Sequence, residues 1–596
     1  MSDEIKHECA VALLRLLDSP AAAGGSGGTP RSLPDPGGTL LSLLLEKQHN
    51  RGQDGAGAAV LSLAPEPGRP AWWIRRSASA TALADLLGAI GRRPTAPGES
   101  LFLGHLRYAT YGRGDESFCH PFVHAEPRLD RTLFLAGNFN LTNTHELFEE
   151  FRKAGNHPGS TADGYLICEL LAAGLEGGHG IAAALRVVLP KLDGAFTLCG
   201  MTGDGWAFAV RDAHGIRPGW YHASPRAVAV ASERPAIQAA LDCPTDAVRE
   251  LPPGEALLVS PAGEVRFERV LEPAEPRPCV FERIYFSRAN DADIHRERKA
   301  LGAALAAPLL RAVDFDLDRT FFSYIPNSAQ VAFHGLLEAL WTEGLAEGRP
   351  VRFGQVAVKD AKFRTFIADA AARREIGKHV YDVTYGLVRP GVDTLVVLDD
   401  SIVRGTTMRE AILPMLDRLG PKRIVVASSA PPIRYPDCYG IDMSTLGELV
   451  AFRALVNLLG DEAEAELRAA LASAAPDSLA ALYARFTEAE HAAEIARLLT
   501  PPRMRAQVSV VYQTVPALHA ALWARGTPPP AASNGGEAAF ERAQSALGTP
   551  ATPASNARDA RFGDWYFTGD YPTPGGYRVL RRSLENHLAR REGRSY

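Results

Sequence analysis

Cysteine is scarce in this chain, with seven in 596 residues: Cys9, Cys119, Cys168, Cys199, Cys243, Cys279 and Cys438. No two of them have C-x-x-C spacing, and none lies in a short cysteine-dense module. That excludes a disulfide-stapled secreted scaffold and fits a reducing, cytoplasmic setting. Long apolar runs are also missing. No stretch of about 18 apolar residues occurs, so no membrane span is expected. The N-terminal MSDEIKHECAVALLRLLDSP carries acids and lacks the apolar stretch of a secretory leader. Lysine supplies only nine of the 64 basic residues, a compositional bias without functional content. The formal net charge is -5, which argues against a broadly basic surface for nucleic acid. What remains is ordinary for a globular protein: 46% hydrophobic and 22% charged residues. At roughly 100–200 residues per domain, the length holds two to five domains.

Residues 19–39 are rich in Gly, Pro and Ser and read as a loop insertion. From about 50 to 270, short apolar runs such as FLGHLRYAT, TLFLAGNF and AFTLCGM alternate with Gly, Pro and Asn clusters. That cadence predicts a β-rich domain with a few helices, one over Gly164–Ala173. Beyond 295 the pattern changes. Helical stretches (Lys299–Val313, Ala329–Glu343) alternate with β-branched runs (Arg352–Val358, Asp393–Leu398, Arg423–Ala427), which predicts βαβ units on a parallel sheet. Residues 460–500 read as helical and 526–560 as a flexible linker. The last 36 residues regain aromatic and Arg content and are expected to dock on the body.

The most informative string is Thr394–Thr407, TLVVLDDSIVRGTT. An apolar run ends in two acids, then a Ser/Gly/Thr turn, then a helix expected from Met408. Ligands of open α/β sheets bind outside the carboxyl ends of strands. The turn Ser401–Thr407 offers backbone N–H groups and hydroxyls at a helix N-terminus, a ready anion site. Asp399 and Asp400 beside it suit ribose hydroxyls and Mg²⁺, which takes few protein ligands. A D-D-S turn by itself is equally an ordinary helix cap.

The full string resembles the 5-phosphoribosyl 1-diphosphate (PRPP) loop of type I phosphoribosyltransferases. Within that class it is similar to the amidophosphoribosyltransferase family, glutamine-using enzymes that open purine synthesis. CVFERIYFSR (Cys279–Arg288), YIPNS (Tyr324–Ser328), KDAKFRTFI (Lys359–Ile367) and SSAPPIRYPDCYGIDM (Ser428–Met443) resemble that family's segments in order and spacing. In the first half, KQHNRGQDGAG (Lys47–Gly57, Asn50 being extra), GHLRYAT (Gly104–Thr110), the stretch Leu135–Leu147, Gly194–Leu198, RDAHGIRP (Arg211–Pro218) and Ala231–Glu233 resemble its glutaminase strings.

The resemblance implies an N-terminal αββα Ntn-hydrolase glutaminase (9–275) and a C-terminal type I phosphoribosyltransferase (276–525). A propeptide (1–8), a linker (526–560) and a docking segment (561–596) complete the chain. Cys9 by itself reads better as a small core residue. The resemblance makes it the nucleophile, with its own α-amine as general base once MSDEIKHE is removed. Arg107 would pair with the glutamine α-carboxylate and Asp163 with its α-ammonium, with Arg51 and Thr110 completing that subsite. Asn138 would donate to the oxyanion. The second donor is a Gly N–H in the family's H-N-G-N-L-T-N segment, and Phe139 stands there. Ala10 replaces the Gly after the nucleophile.

For PRPP the implied set is Lys359, Asp399, Asp400, Ser401, Ile402, Val403, Arg404, Gly405, Thr406 and Thr407, with Ser328, Asp399 and Asp400 on the Mg²⁺ side. Residues 359–385, with Lys362, Arg364, Arg373 and Arg374, are the expected lid. Some family members hold an iron–sulfur cluster on four cysteines. Cys279 and Cys438 match two of them, but no cysteine follows 438, so no cluster is expected. The expected partners are glutamine and PRPP, with purine nucleotides as possible feedback inhibitors and, by family only, a homo-oligomer. Two rivals remain: another enzyme with this glutaminase, against which the PRPP loop speaks, and a degenerate paralogue that binds PRPP or nucleotide without turnover.

Overall fold

The computed structural model describes residues 9–17, 35–109, 112, 114–176, 178, 180–342, 345–346, 348–359, 381–441, 443–473, 478–522 and 565–591. The strand Ala10–Leu16 runs through the middle of a seven-stranded antiparallel sheet, between Ala227–Ala231 and Glu99–Arg107. Strand alternation gives it two apolar faces. Val11 and Leu13, with Leu101 and Leu103, meet Phe134, Ala136, Cys199 and Met201 of a six-stranded second sheet. Ala10, Ala12 and Leu14 instead pack beneath the helices Pro36–Glu46 and Arg234–Leu241. On the far side, Leu133, Leu135 and Leu198 pack beneath Asp163–Glu176 and Gly180–Val188. These are the four layers of an αββα sandwich.

The second half is built on a five-stranded parallel sheet in the order Arg352–Phe353, Thr320–Tyr324, Thr394–Asp399, Arg423–Ser428, Gln507–Tyr512. Both faces are covered. Leu395, Val397, Ile424 and Val426 belong to one core, and Val396, Leu398, Val425 and Ala427 to another. Helices on both sides explain why these strands read as continuous apolar runs.

Some expectations shift. Helix Pro36–Glu46 begins inside the expected 19–39 loop because Asp35 accepts from the Gly38 N–H (2.8 Å) and Pro36 fits a first helical turn. Residues 19–34 of that loop lie outside the described residues, as do 1–8, 526–560 and the part of the expected lid from 360 to 380. The run Arg352–Val358 is not one strand. Arg352–Phe353 joins the parallel sheet, whereas Ala357–Lys359 pairs with Tyr381–Val383 in a separate antiparallel ribbon. The stretch Lys299–Val313 breaks at Leu305 into two helices, Ala292–Ala304 and Ala306–Ala312.

The described part of the C-terminal segment, residues 565–591, packs on the domain junction. Tyr566 makes a two-sided bridge to the strand-like Pro278–Val280, and helix Pro574–Leu588 packs on the same core. Tyr566 Oη donates to Asp437 (3.0 Å), and Thr573 Oγ1 donates to Asp193 of the sandwich domain (2.7 Å).

Candidate active site

Cys9 sits at the mouth of its strand, one residue before the Ala10–Leu106 pair, so its thiol faces the end of Glu99–Arg107. The Tyr108 N–H donates to Sγ at 3.4 Å. Burial pushes the thiol up to about 11, partly offset by that N–H and by the Arg107 charge, while Asp163 adds to the rise. In the sequence Cys9 follows Glu8, so its nitrogen is a peptide amide and not a free α-amine that could take the proton. Arg107 is buried, donates to Gly112 O (3.0 Å) and lies over the Phe118 ring. Asp163 opens its helix, and burial raises its carboxyl with the Arg107 charge opposing. Cys9, Arg107 and Asp163 therefore share one electrostatic neighbourhood. Thr110 lies outside the described residues.

Asn138 and Phe139 lie on strand Leu133–Leu141, which pairs with Gly194–Thr202 in unbroken register. Phe139 is not among the residues with positive φ, so its bulky side chain sits in ordinary strand backbone. The direction of its N–H follows from the ladder. Its partner Phe196 spends both backbone groups on Asp212, donating to Oδ2 (3.1 Å) and accepting from N–H (2.9 Å). In an antiparallel sheet both groups of a residue point to one side, so Phe139–Phe196 is a non-hydrogen-bonded pair. The Phe139 N–H therefore points to the opposite edge, beyond the end of the short strand Phe122–His124. A side-chain change from Gly to Phe leaves that donor in place.

Arg51 is placed differently from its expected glutamine role. It is 1% exposed, and its guanidinium bridges Glu233 (2.8 Å) of the sandwich domain and Glu282 (2.6 Å) of the domain junction. The extra residue Asn50 donates to Glu233 (2.7 Å) and to Phe286 O (3.1 Å). Arg298 continues this junction. It donates to Arg283 O (2.8 Å) and Ser287 O (2.7 Å), and its charge acts on Asp400. Sequence reasoning missed Arg298 and the Glu233 role, because nothing local in a string marks which distant Arg a Glu will meet.

The second site is local. Strand Thr394–Asp399 delivers Asp399 at its end, and Asp399 accepts from the Asp400 N–H (2.9 Å). Asp400 is buried. It accepts from the hydroxyls of Ser328 and Ser401, and burial raises its carboxyl above the ordinary range despite those bonds and the Arg298 charge. Ile402 and Val403 are anchored in the core, and Arg404 pairs with Glu448 (2.7 Å). Gly405 has φ +76, and a Cβ there would strike Leu499 at 2.3 Å, so Gly is required twice over. The following helix opens as a π-helical turn, Met408–Ile412, and continues as Leu413–Asp417. The loop thus presents Ser401 to Thr407 between a strand end and a helix start. Lys359 ends the short strand Ala357–Lys359.

Among the described residues no group of three His, Cys, Asp or Glu side chains could hold a metal ion. Two carboxylates with a neighbouring Ser hydroxyl suit a cation that keeps most of its waters. Cys279 and Cys438 are buried free thiols in the core that contains Trp565, Tyr566 and Tyr571. No helix among the described residues is long and apolar enough to cross a membrane.

Comparison with known proteins gives a consistent picture. A model for "Glutamine amidotransferase domain" matches residues 117–239. The amidophosphoribosyltransferase of Escherichia coli K12 is 30% identical over 370 residues, covering 59% of this chain and 69% of the relative. That of Bacillus subtilis 168 is 32% identical over 360 residues, covering 59% and 69%. Among solved structures, the B. subtilis glutamine PRPP amidotransferase complexed with ADP and GMP superposes with a TM-score of 0.62 at 22% identity. That match covers 93% of this chain and 99% of the other, and it shows the same fold. The identity, coverage and two-domain architecture together mean that this chain belongs to the amidophosphoribosyltransferase family.

Proposed function

We propose that the two sites act in series. Removal of residues 1–8 exposes the Cys9 α-amine, whose ordinary pKa of about 8 makes it a base for the thiol. The amine takes the thiol proton, and the thiolate attacks the side-chain amide carbon of glutamine. Arg107 holds the α-carboxylate and Asp163 the α-ammonium. The Asn138 amide and the Phe139 N–H receive the oxyanion. The amine then protonates the leaving nitrogen, ammonia departs, and water hydrolyses the thioester to glutamate. The ammonia attacks C1 of PRPP and displaces diphosphate, giving 5-phosphoribosylamine.

At the second site, the hydroxyls and N–H groups of Ser401–Thr407 hold the 5-phosphate, and Asp399 and Asp400 hold the ribose hydroxyls. Mg²⁺ would be held on the Asp399, Asp400 and Ser328 side, where it supplies charge neutralisation for the diphosphate. Lys359 starts the lid. Arg51 has no direct part in glutamine binding in this reading; it joins the two domains. Purine nucleotides are the proposed feedback inhibitors, supported by the ADP and GMP with which the B. subtilis enzyme is complexed. We place the enzyme in the cytoplasm, without an iron–sulfur cluster and as a homo-oligomer.

The observation that carries this reading is one chain joining a half-buried Cys9 and Asp163 and a buried Arg107 to the Asp399–Thr407 loop across the Arg51–Glu282 pair. The test is to mix the protein with glutamine, PRPP and Mg²⁺ and measure glutamate and diphosphate. They should appear in equal amounts, and intact mass should show a chain beginning at Cys9. Binding of PRPP without either product would instead identify a non-catalytic paralogue.

A further inference from the structure

The oxyanion strand carries a second departure beside Phe139. The motif H-N-G-N-L-T-N places a His before the oxyanion Asn, and here Gly137 stands in that position. The structure leaves no room for a side chain there. A Cβ on Gly137 would meet Leu198 Cδ2 at 2.7 Å, Thr197 O at 2.8 Å and the Phe139 ring at 2.9 Å. Yet imidazole is present at this peptide, supplied from two other segments. His120 Nδ1 accepts from the Gly137 N–H at 3.2 Å, and His105 Nε2 lies 3.1 Å from the Gly137 carbonyl. The two rings stack with centroids 3.9 Å apart and planes at 15°, and His120 also stacks on Phe139 at 5.4 Å.

The position of this clamp matters. His105 lies on the strand ending at Arg107 and pairs directly with Val11, two residues from Cys9. Gly137 lies on the other sheet, one residue from Asn138 and two from Phe139. The pair therefore pins the nucleophile sheet to the oxyanion strand at the site itself. Its protons are fixed by its partners: His120 Nδ1 is bare because it accepts, and His105 Nε2–H donates to a carbonyl. Burial holds both rings neutral, His105 down at about 3 and His120 well below its ordinary value. A neutral pair gives the same clamp across the working pH range.

We propose that His120 is a positioning residue for glutamine hydrolysis: with His105 it clamps the Gly137 peptide and so aligns the Asn138 amide and Phe139 N–H with the Cys9 thiolate. It takes over, from the neighbouring segment, the place of the imidazole that the motif carries on the strand. This inference rests on the glutaminase reading above.

The test uses the full-length chain. Glutamine turnover by wild type that disappears in Cys9→Ala establishes the glutaminase reading first; its absence would remove that reading and this inference with it. His120→Phe keeps a stacking ring and removes the acceptor. It should lower kcat for glutamine roughly 10- to 100-fold, the scale for a slightly misplaced oxyanion donor. KM for glutamine and ammonia-dependent synthesis should stay within about twofold of wild type, because neither Arg107, Asp163 nor the PRPP loop is touched. His120→Asn, whose Oδ1 can replace Nδ1 as acceptor, should restore most of the loss. His105→Phe removes the other half of the clamp and should repeat the kcat effect, which keeps the test open if His120→Phe does not fold. A normal kcat in either Phe variant, a loss confined to KM, or equal impairment of His120→Asn and His120→Phe would overturn the proposal.

Discussion

The two candidate sites are built in opposite ways. The PRPP loop is a single stretch, Asp399–Thr407, whose geometry is set by one strand end, one Gly at φ +76 and one helix start. The glutaminase site is assembled from five separate segments around Cys9, Arg107, His120, Asn138 and Asp163. A contiguous loop cannot exchange one residue without losing its own turn. A dispersed site can move a group from one segment to another, provided the group arrives at the same place. Departures from the family pattern fall on the dispersed site, at Ala10, Gly137 and Phe139, and on the domain junction, at Asn50. The PRPP string carries none.

The largest expected effect separates the sites outright. Cys9→Ala should reduce glutamine-dependent synthesis by about 10³-fold or more, since no other thiol shares its position. Synthesis from ammonium chloride should persist, because the PRPP loop is built without Cys9. Parallel assays with the two nitrogen sources check this, and retained glutaminase activity would refute the nucleophile assignment. Replacing both Asp399 and Asp400 with Asn should instead lower both reactions, by roughly 10²-fold or more. Normal PRPP affinity in that double variant would refute the loop assignment.

The same contrast explains what was legible in the sequence. The parallel-sheet layer was readable because β-branched runs record burial on both faces, as at Leu395 and Val397, whereas the cadence of the first half gave only a β-rich domain and its αββα layering came from the family resemblance. Asp399 to Thr407 could be read as a site because neighbours in sequence are neighbours in space. Cys9, Arg107, Asn138 and Asp163 needed the family resemblance, since no local rule brings them together. Arg51 shows the limit. Its string marks it as functional, but only the fold shows that Glu233 and Glu282 occupy its guanidinium. The split of Arg352–Val358 follows from long-range pairing, Arg352–Phe353 with Thr320–Tyr324 and Ala357–Lys359 with Tyr381–Val383, which no local propensity encodes.

Arg51 sharpens the comparison further. Removing one member of a buried ion pair leaves uncompensated charge, so Arg51→Ala should cost about 3–5 kcal/mol of stability. Denaturant unfolding measures it. A glutamine ligand would instead raise KM with stability unchanged, so the two roles separate cleanly. Asp163 is the converse case, a half-buried acid whose proposed partner is the substrate. Its carboxyl is raised by burial, so its contribution to apo-enzyme stability is full below the ordinary value of about 4. That contribution is lost as pH rises through the raised value. Glutamine binding has the opposite sign, because the ammonium needs the anion. KM for glutamine should therefore climb on acidification, beginning at higher pH than for an ordinary Asp. Asp163→Asn should raise KM about 10- to 100-fold, the worth of a charge-assisted bond, and remove that pH dependence.

The smallest expected effect is at Cys279 and Cys438. A [4Fe–4S] cluster needs four thiolates or a rare substitute, and the other five cysteines all precede residue 244. The Tyr566 backbone brackets Cys279, accepting from Val280 N–H (3.0 Å) and donating to Pro278 O (2.9 Å). Tyr439, next to Cys438, meets Tyr566 edge-on with centroids 5.0 Å apart. These aromatic contacts fasten the C-terminal segment to the junction. Iron chelators and air should therefore leave activity unchanged once Mg²⁺ is resupplied, and purified protein should lack an iron–sulfur chromophore. Cys279→Ser and Cys438→Ser should each cost only about 1–3 kcal/mol, the penalty of a buried hydroxyl, with glutamine-dependent activity within about twofold of wild type. Loss of activity in either variant together with about four irons per chain in anaerobically prepared protein would mean that the junction is held by a cluster rather than by these rings.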